Sequence, residues 1–182
     1  MLSVGFSLGG HSALALAGVR VSKARFIAYC AANQGKVDCG WLEDGGVDFT
    51  QIDAARYEAD LSDARITRTI AIDPALPQAV LHESLTALGS SVLIVNLGAP
   101  ETIPAAMRAD GLAEQIAGAE FRAIDGAAHF SALPKCSALG VVMIGLAGDD
   151  NICSDRDLRP REDVHLDVLD AIDGFLGRAS QG

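Results

Sequence analysis

The stretch Val4-Gly5-Phe6-Ser7-Leu8-Gly9-Gly10 decides the fold. Val4 to Phe6 reads as the end of a strand. Leu8 to Val19 (LGGHSALALAGV) is rich in Ala and Leu and reads as a helix whose small side chains let it lie close to a sheet. Outward from this strand, turn and helix the same rhythm repeats. Ile66 to Asp73 (ITRTIAID) predicts a strand, Pro77 to Leu88 a helix, and Ser91 to Leu97 (SVLIVNL) is the continuous run of a buried parallel strand. Pro104 to Ala117 predicts a helix with proline at its first position, and Glu120 to Ile124 a short strand. Asp163 to Leu176 (DVHLDVLDAIDGFL) spaces its apolar residues as an amphipathic helix that caps one sheet face. Alternation of this kind predicts an α/β fold with a mostly parallel sheet flanked by helices. Cys30 to Ala64, with Gly35, Gly40, Gly45 and Gly46, is aperiodic and reads as a long excursion between sheet elements. No repeat and no linker divides the chain, so residues 1–182 read as one domain.

Composition narrows the function classes. Lys and Arg number 14 against 24 Asp and Glu, a net charge of −10, with 49% hydrophobic residues. That is a globular domain, long enough to bury roughly 70% of the surface its unfolded chain exposes. A phosphate backbone or an anionic membrane needs basic clusters that this sequence lacks, so no nucleic acid is expected as a partner. The longest apolar stretches, such as Ala138 to Ala147, fall well short of the roughly 20 residues of a membrane span. No export signal precedes Gly5, so the chain as given reads as cytoplasmic, and as periplasmic or secreted if the true start lies upstream. Cys30, Cys39, Cys136 and Cys153 lack the C-x-x-C spacing of a metal or redox site, so neither metal nor cofactor is expected. They read either as buried thiols or as two local disulfides, Cys30 with Cys39 and Cys136 with Cys153, each closing a short loop worth roughly 3 kcal/mol.

Gly5-Phe6-Ser7-Leu8-Gly9 fits G-x-S-x-G between a strand and a helix, the setting of a nucleophile elbow. Such a turn strains the serine backbone and is expected to require glycine at 5 and 9, with Gly10 adding room. Ser7 then stands at the sheet tip, above the positive end of the helix dipole, with the Leu8 amide aimed at a developing oxyanion. A serine needs a base. His129, in the small-residue loop Asp125-Gly126-Ala127-Ala128-His129 after the last predicted strand, is the candidate; His11, on the helix after Ser7, reads as a packed or surface residue, and His82 and His165, on predicted helices, read as surface residues. The acid that orients the imidazole also belongs at a strand end. Asp73 closes its strand before Pro74, and Glu101, beyond the strand ending at Leu97, is the alternative. The order Ser, Asp, His is that of α/β-hydrolases.

The segments GFSLGG, IAIDPAL, VLIVNLGAPETIP and GAAHFSALPKC, in this order, make nearly the whole chain similar to the α/β-hydrolases described as predicted dienelactone hydrolases, related to the platelet-activating-factor acetylhydrolases. In the acetylhydrolase branch the acid follows the strand after the nucleophile's helix, which implies Asp73. Dienelactone hydrolases proper use a cysteine nucleophile and an acid one strand later, where this chain has Ser7 and offers Glu101. The family carries several strands before the elbow, so the chain resembles the C-terminal portion of an α/β-hydrolase fold, and a second oxyanion donor is expected from upstream elements. The expected function is hydrolysis of a small carboxylic ester through an acyl-enzyme, by Ser7, His129 and Asp73 with the Leu8 amide. The alternative is a catalytically silent hydrolase fragment or interaction module. An uncovered sheet edge at the first strand predicts self-association.

Overall fold

The computed structural model describes residues 1–147, 152–154 and 158–178. Four strands, β1 (Leu2–Phe6), β2 (Arg68–Ile72), β3 (Ser91–Leu97) and β4 (Glu120–Ile124), form one all-parallel sheet in the order β1-β2-β3-β4. Phe6 pairs with Ile72 and Ile72 with Val95, so the C-terminal ends of β1 and β2 come level while β3 runs two residues further. The helices are α1 (Leu8–Ala17), α2 (Lys23–Ala32), α3 (Val37–Asp44), α4 (Ala54–Tyr57), α5 (His82–Leu85), α6 (Asp110–Ala113), α7 (Ala138–Ala147) and α8 (Arg161–Arg178). This is the α/β architecture that the sequence predicts.

Side-chain alternation along β3 sends Val92 and Ile94 into a core shared with Leu14 of α1, Phe26 of α2, Leu85 of α5 and Leu112 of α6. Leu93, Val95 and Leu97 point the other way, against Val164, Val168 and Phe175 of α8. Helices carried by successive parallel crossovers fall on one face because such crossovers share one hand. The helix after the last strand is free to cover the opposite face, as the spacing at Asp163 to Leu176 predicts. Full burial of each aliphatic side chain contributes about 1.5–3 kcal/mol.

Three predicted segments fold differently. Pro77 to Leu88 is not one helix but a 3-10 turn over Pro77–Ala79 followed by α5. Its backbone is claimed by the segment after α1: Val80 bridges Val21, Leu81 N–H donates to Arg20 O at 2.8 Å, and Ser22 N–H to Ala79 O at 2.8 Å. Pro104 to Ala117 shrinks to α6, because the preceding loop turns around the Asn96 side chain, which accepts from Ala109 N–H and donates to Met107 O. The excursion over Cys30 to Ala64 holds the end of α2, all of α3 and α4, and a 3-10 turn at Phe49–Gln51. Its Phe49 packs tilted on Phe26 of α2, with rings 4.7 Å apart, and edge-on to Tyr57, while Tyr29 of α2 lies against Phe26.

Both local disulfides are present. Cys30–Cys39 ties α2 to α3, and Cys136–Cys153 brackets α7. Helix α7 carries no charged residue and buries none of its side chains; Leu139, Met143 and Leu146 are 68%, 61% and 82% exposed. No helix among the described residues is long and apolar enough to cross a membrane.

Candidate functional site

Ser7 lies between β1 and α1 with φ 56° and ψ −122°, a conformation that L-residues rarely adopt. Three backbone hydrogen bonds hold it there: Ser7 N–H donates to Ile72 O at 3.0 Å, and Ser7 O accepts from His11 N–H and Ala75 N–H, each at 3.0 Å. Strain of this kind persists only where the surroundings over-determine it. The turn is tight at Gly5, where a Cβ would stand 1.9 Å from Gly9 O, and at Gly10, where it would meet Gly5 O and Ile72 O at 3.1 Å. Gly9 differs from the expectation. A Cβ there meets nothing within 4 Å, so the space that matters is around 5 and 10.

The structure brings Ser7, His129 and Asp73 together from 122 and 56 residues apart along the chain. His129 Nε2 lies 3.0 Å from Ser7 Oγ, and His129 Nδ1 lies 2.7 Å from Asp73 Oδ2. A carboxylate only accepts, so the Nδ1 proton faces Asp73 and leaves Nε2 as acceptor for the Ser7 hydroxyl. Asp73, 1% exposed, follows β2 with φ 45°, and its N–H donates to Val95 O at 2.7 Å. Its Oδ1 accepts from Leu97 N–H at 2.9 Å and from Asn96 Nδ2 at 2.8 Å. The His129 ring packs on Phe6, with centroids 4.7 Å apart, and on Phe130 at 5.3 Å.

His129 opens a 3-10 turn (His129–Ala132) whose seating comes from α8. Ser131, 1% exposed, accepts from Ala128 N–H through Oγ at 3.1 Å, and its carbonyl accepts from His165 Nε2 at 2.9 Å. Arg161, 2% exposed, donates to Leu133 O, Pro134 O and Ile152 O, so one guanidinium clasps both sides of the loop that Cys136–Cys153 closes. These roles of Asn96, Ser131, Arg161 and His165 go beyond what the sequence predicts, and His165 is part-buried against the Ser131 carbonyl rather than a surface residue. For Asn96 the available signal was one polar residue inside an apolar strand.

The alternative acid, Glu101, is exposed in the turn beyond β3; the Arg108 guanidinium is pushed up mainly by its hydrogen bond to Asp110, with Glu101 a minor contributor. His11 is packed on α1; burial pushes its imidazole below the ordinary value, opposed more weakly by a backbone hydrogen bond at Ala75. His82 is exposed and bonds Gln115. The first amides of α1, Leu8 N–H among them, are without intrahelical partners as in every helix, and Leu8 follows Ser7 directly. Two open grooves, of about 440 and 370 Å³, lie elsewhere, along β4 and α8 and beside α5 and α6. Among the described residues no group of three or more His, Cys, Asp or Glu is placed to hold a metal ion.

This arrangement can remove a proton from Ser7 Oγ, carry it on an imidazole balanced by a buried carboxylate, and offer an amide to negative charge beside the serine. Comparison of the chain with family models, with curated proteins and with solved structures finds no match in any of the three.

Proposed function

We propose that the chain is a serine hydrolase that cleaves a small carboxylic ester through an acyl-enzyme. Ser7 Oγ attacks the ester carbonyl as its proton passes to His129 Nε2. The tetrahedral oxyanion is met by Leu8 N–H at the start of α1. The intermediate collapses, and the leaving alkoxide takes the proton from His129. Water then attacks the acyl-enzyme by the same proton path and frees the acid and Ser7. Asp73 holds the imidazole in the tautomer that this path needs and balances the imidazolium as it forms.

The observation that carries this reading is the pair of contacts on one imidazole, 3.0 Å to Ser7 Oγ and 2.7 Å to Asp73 Oδ2, at a serine held at φ 56°. A surface serine beside a histidine needs no such backbone. The test is incubation with a fluorophosphonate, read by intact mass. The protein gains one phosphonyl adduct and Ser7→Ala gains none. Labelling that survives Ser7→Ala overturns the nucleophile, and absence of labelling in both favours a catalytically silent binding module.

A further inference from the structure

Strand β3 turns Val92, Ile94 and Asn96 to one face. The first two are core, and the third is a carboxamide with 0% exposure, an arrangement that costs the full desolvation of the group unless every polar atom is met. Each is met. Asn96 Nδ2 donates to Asp73 Oδ1 at 2.8 Å and to Met107 O at 2.9 Å, and Asn96 Oδ1 accepts from Ala109 N–H at 2.9 Å. Two acceptors on one side and a donor on the other fix which end of the amide is nitrogen, so the direction of the Asp73 contact follows from the network.

We propose that Asn96 is a positioning residue for the reaction proposed above, acting through Asp73. Asp73 Oδ2 has to point at His129 Nδ1. The terminal torsion of an aspartate is broad, and one donor on Oδ1, the Leu97 amide, leaves the carboxylate able to swing about that contact. Asn96 supplies a second donor from a different direction and removes that freedom. Asn96 is in turn immobilised by the 107–109 loop, so the backbone turn that replaces a longer helix there is what holds the carboxylate plane. Both bonds to His129 depend on that plane, and a misplacement on the order of 1 Å in a catalytic group costs about a hundredfold in rate.

The competing account is that Asn96 merely fastens the 107–109 loop to β3. Stability measurements do not separate the two, since either role loses a buried hydrogen-bond network. A double-mutant cycle does: the protein, Asn96→Ala, Asp73→Asn and the double variant, compared by ester turnover and by rate of phosphonylation. Positioning through Asp73 predicts that Asn96→Ala lowers kcat about 10- to 100-fold with KM within about twofold, and that the same substitution has less than about a threefold effect once Asp73 is Asn. An equal factor in both backgrounds overturns the proposal.

A second arm does not use activity. The His129 Nδ1 proton, held between imidazole and carboxylate, gives a far-downfield proton resonance assigned by its loss in Asp73→Asn. It shifts or broadens in Asn96→Ala, and an unchanged resonance overturns the proposal. If Asn96→Ala does not fold, Asn96→Ser takes its place, because a single short hydroxyl donor does not serve both Asp73 and Met107. If the parent neither turns over nor labels, the hydrolase reading fails by itself, and the resonance alone decides whether Asn96 positions Asp73.

Discussion

Among its described residues the molecule holds two opposite regions, a fully engaged buried polar cluster and an apolar helix that buries none of its side chains. At the ends of β2 and β3, Asp73 and Asn96 are at most 1% exposed and every polar atom of the two side chains is engaged. Just beyond His129, α7 turns Leu139 and Leu146 outward at 68% and 82% exposure. One region is specified by directional bonds, which tolerate neither a missing partner nor a shifted one. The other is held to the fold by Cys136–Cys153 and by the Arg161 clasp at its base, and the fold asks little of its side chains. Polar groups inside and apolar groups outside invert the usual rule, and the inversion separates what orders the site from what merely hangs beside it.

The sharpest way to break that contrast is at the acid. Asp73→Asn should lower ester turnover by up to about ten-thousandfold, whereas Glu101→Gln should leave it within about twofold, as read by steady-state kinetics. A crippling Glu101→Gln with a mild Asp73→Asn would mean that the buried cluster is scaffolding only. Next in size is the cost of truncating apolar side chains on the two sides. Leu93→Ala, under α8, should lose about 2–5 kcal/mol by chemical denaturation, and Leu146→Ala no more than about 0.5 kcal/mol. An equal loss at Leu146 would show that α7 packs on something in solution.

Removing Cys136–Cys153 with a double serine variant should lower stability by roughly 3 kcal/mol in the chain-entropy account and admit protease near α7. Phosphonylation at Ser7 should keep its rate, because the hydrogen bonds seating His129 lie outside the closed loop. The smallest effect concerns His11. Its folded-state value is held below the ordinary 6.5 by burial, so the folded protein resists the proton that the unfolded chain accepts. Stability from this residue is full above about pH 6.5 and is lost as pH falls through the depressed folded value. Thermal midpoints of the protein and of His11→Gln, compared from pH 7.5 downwards, should converge or cross on the acid side. Parallel curves would remove His11 from the account of acid sensitivity.

What was legible in the sequence followed from local pattern. SVLIVNL announces β3 over Ser91–Leu97 because a continuous, β-branched-rich apolar run suits a strand covered on both faces. The meeting of Ser7, Asp73 and His129 was legible because each lies just past a strand end, and parallel strands gather those ends on one edge. Asn96 was not, since the run around it reads as uniformly apolar and a carboxamide declares itself only when its three partners are known. The helices predicted over Pro77 to Leu88 and Pro104 to Ala117 failed for a related reason. Their backbone groups are spent on residues distant in sequence, Arg20 and Ser22 in one case and Asn96 in the other. Nor did the pattern reveal that α7 is exposed, because a stretch apolar on every side carries no sign of which way it faces.

The backbone of Ser7 sets two selective pressures against each other. A side chain held at φ 56° and ψ −122° costs on the order of 1–3 kcal/mol, and glycine adopts that geometry without the penalty. A library of variants screened for heat resistance alone should therefore collect Ser7→Gly, and should do so early. Screened for turnover, the same library should never contain it. Position 7 thus acts as a marker in any evolved lineage of this fold: under the proposed chemistry, a serine retained there through drift toward greater stability records that turnover was still in demand.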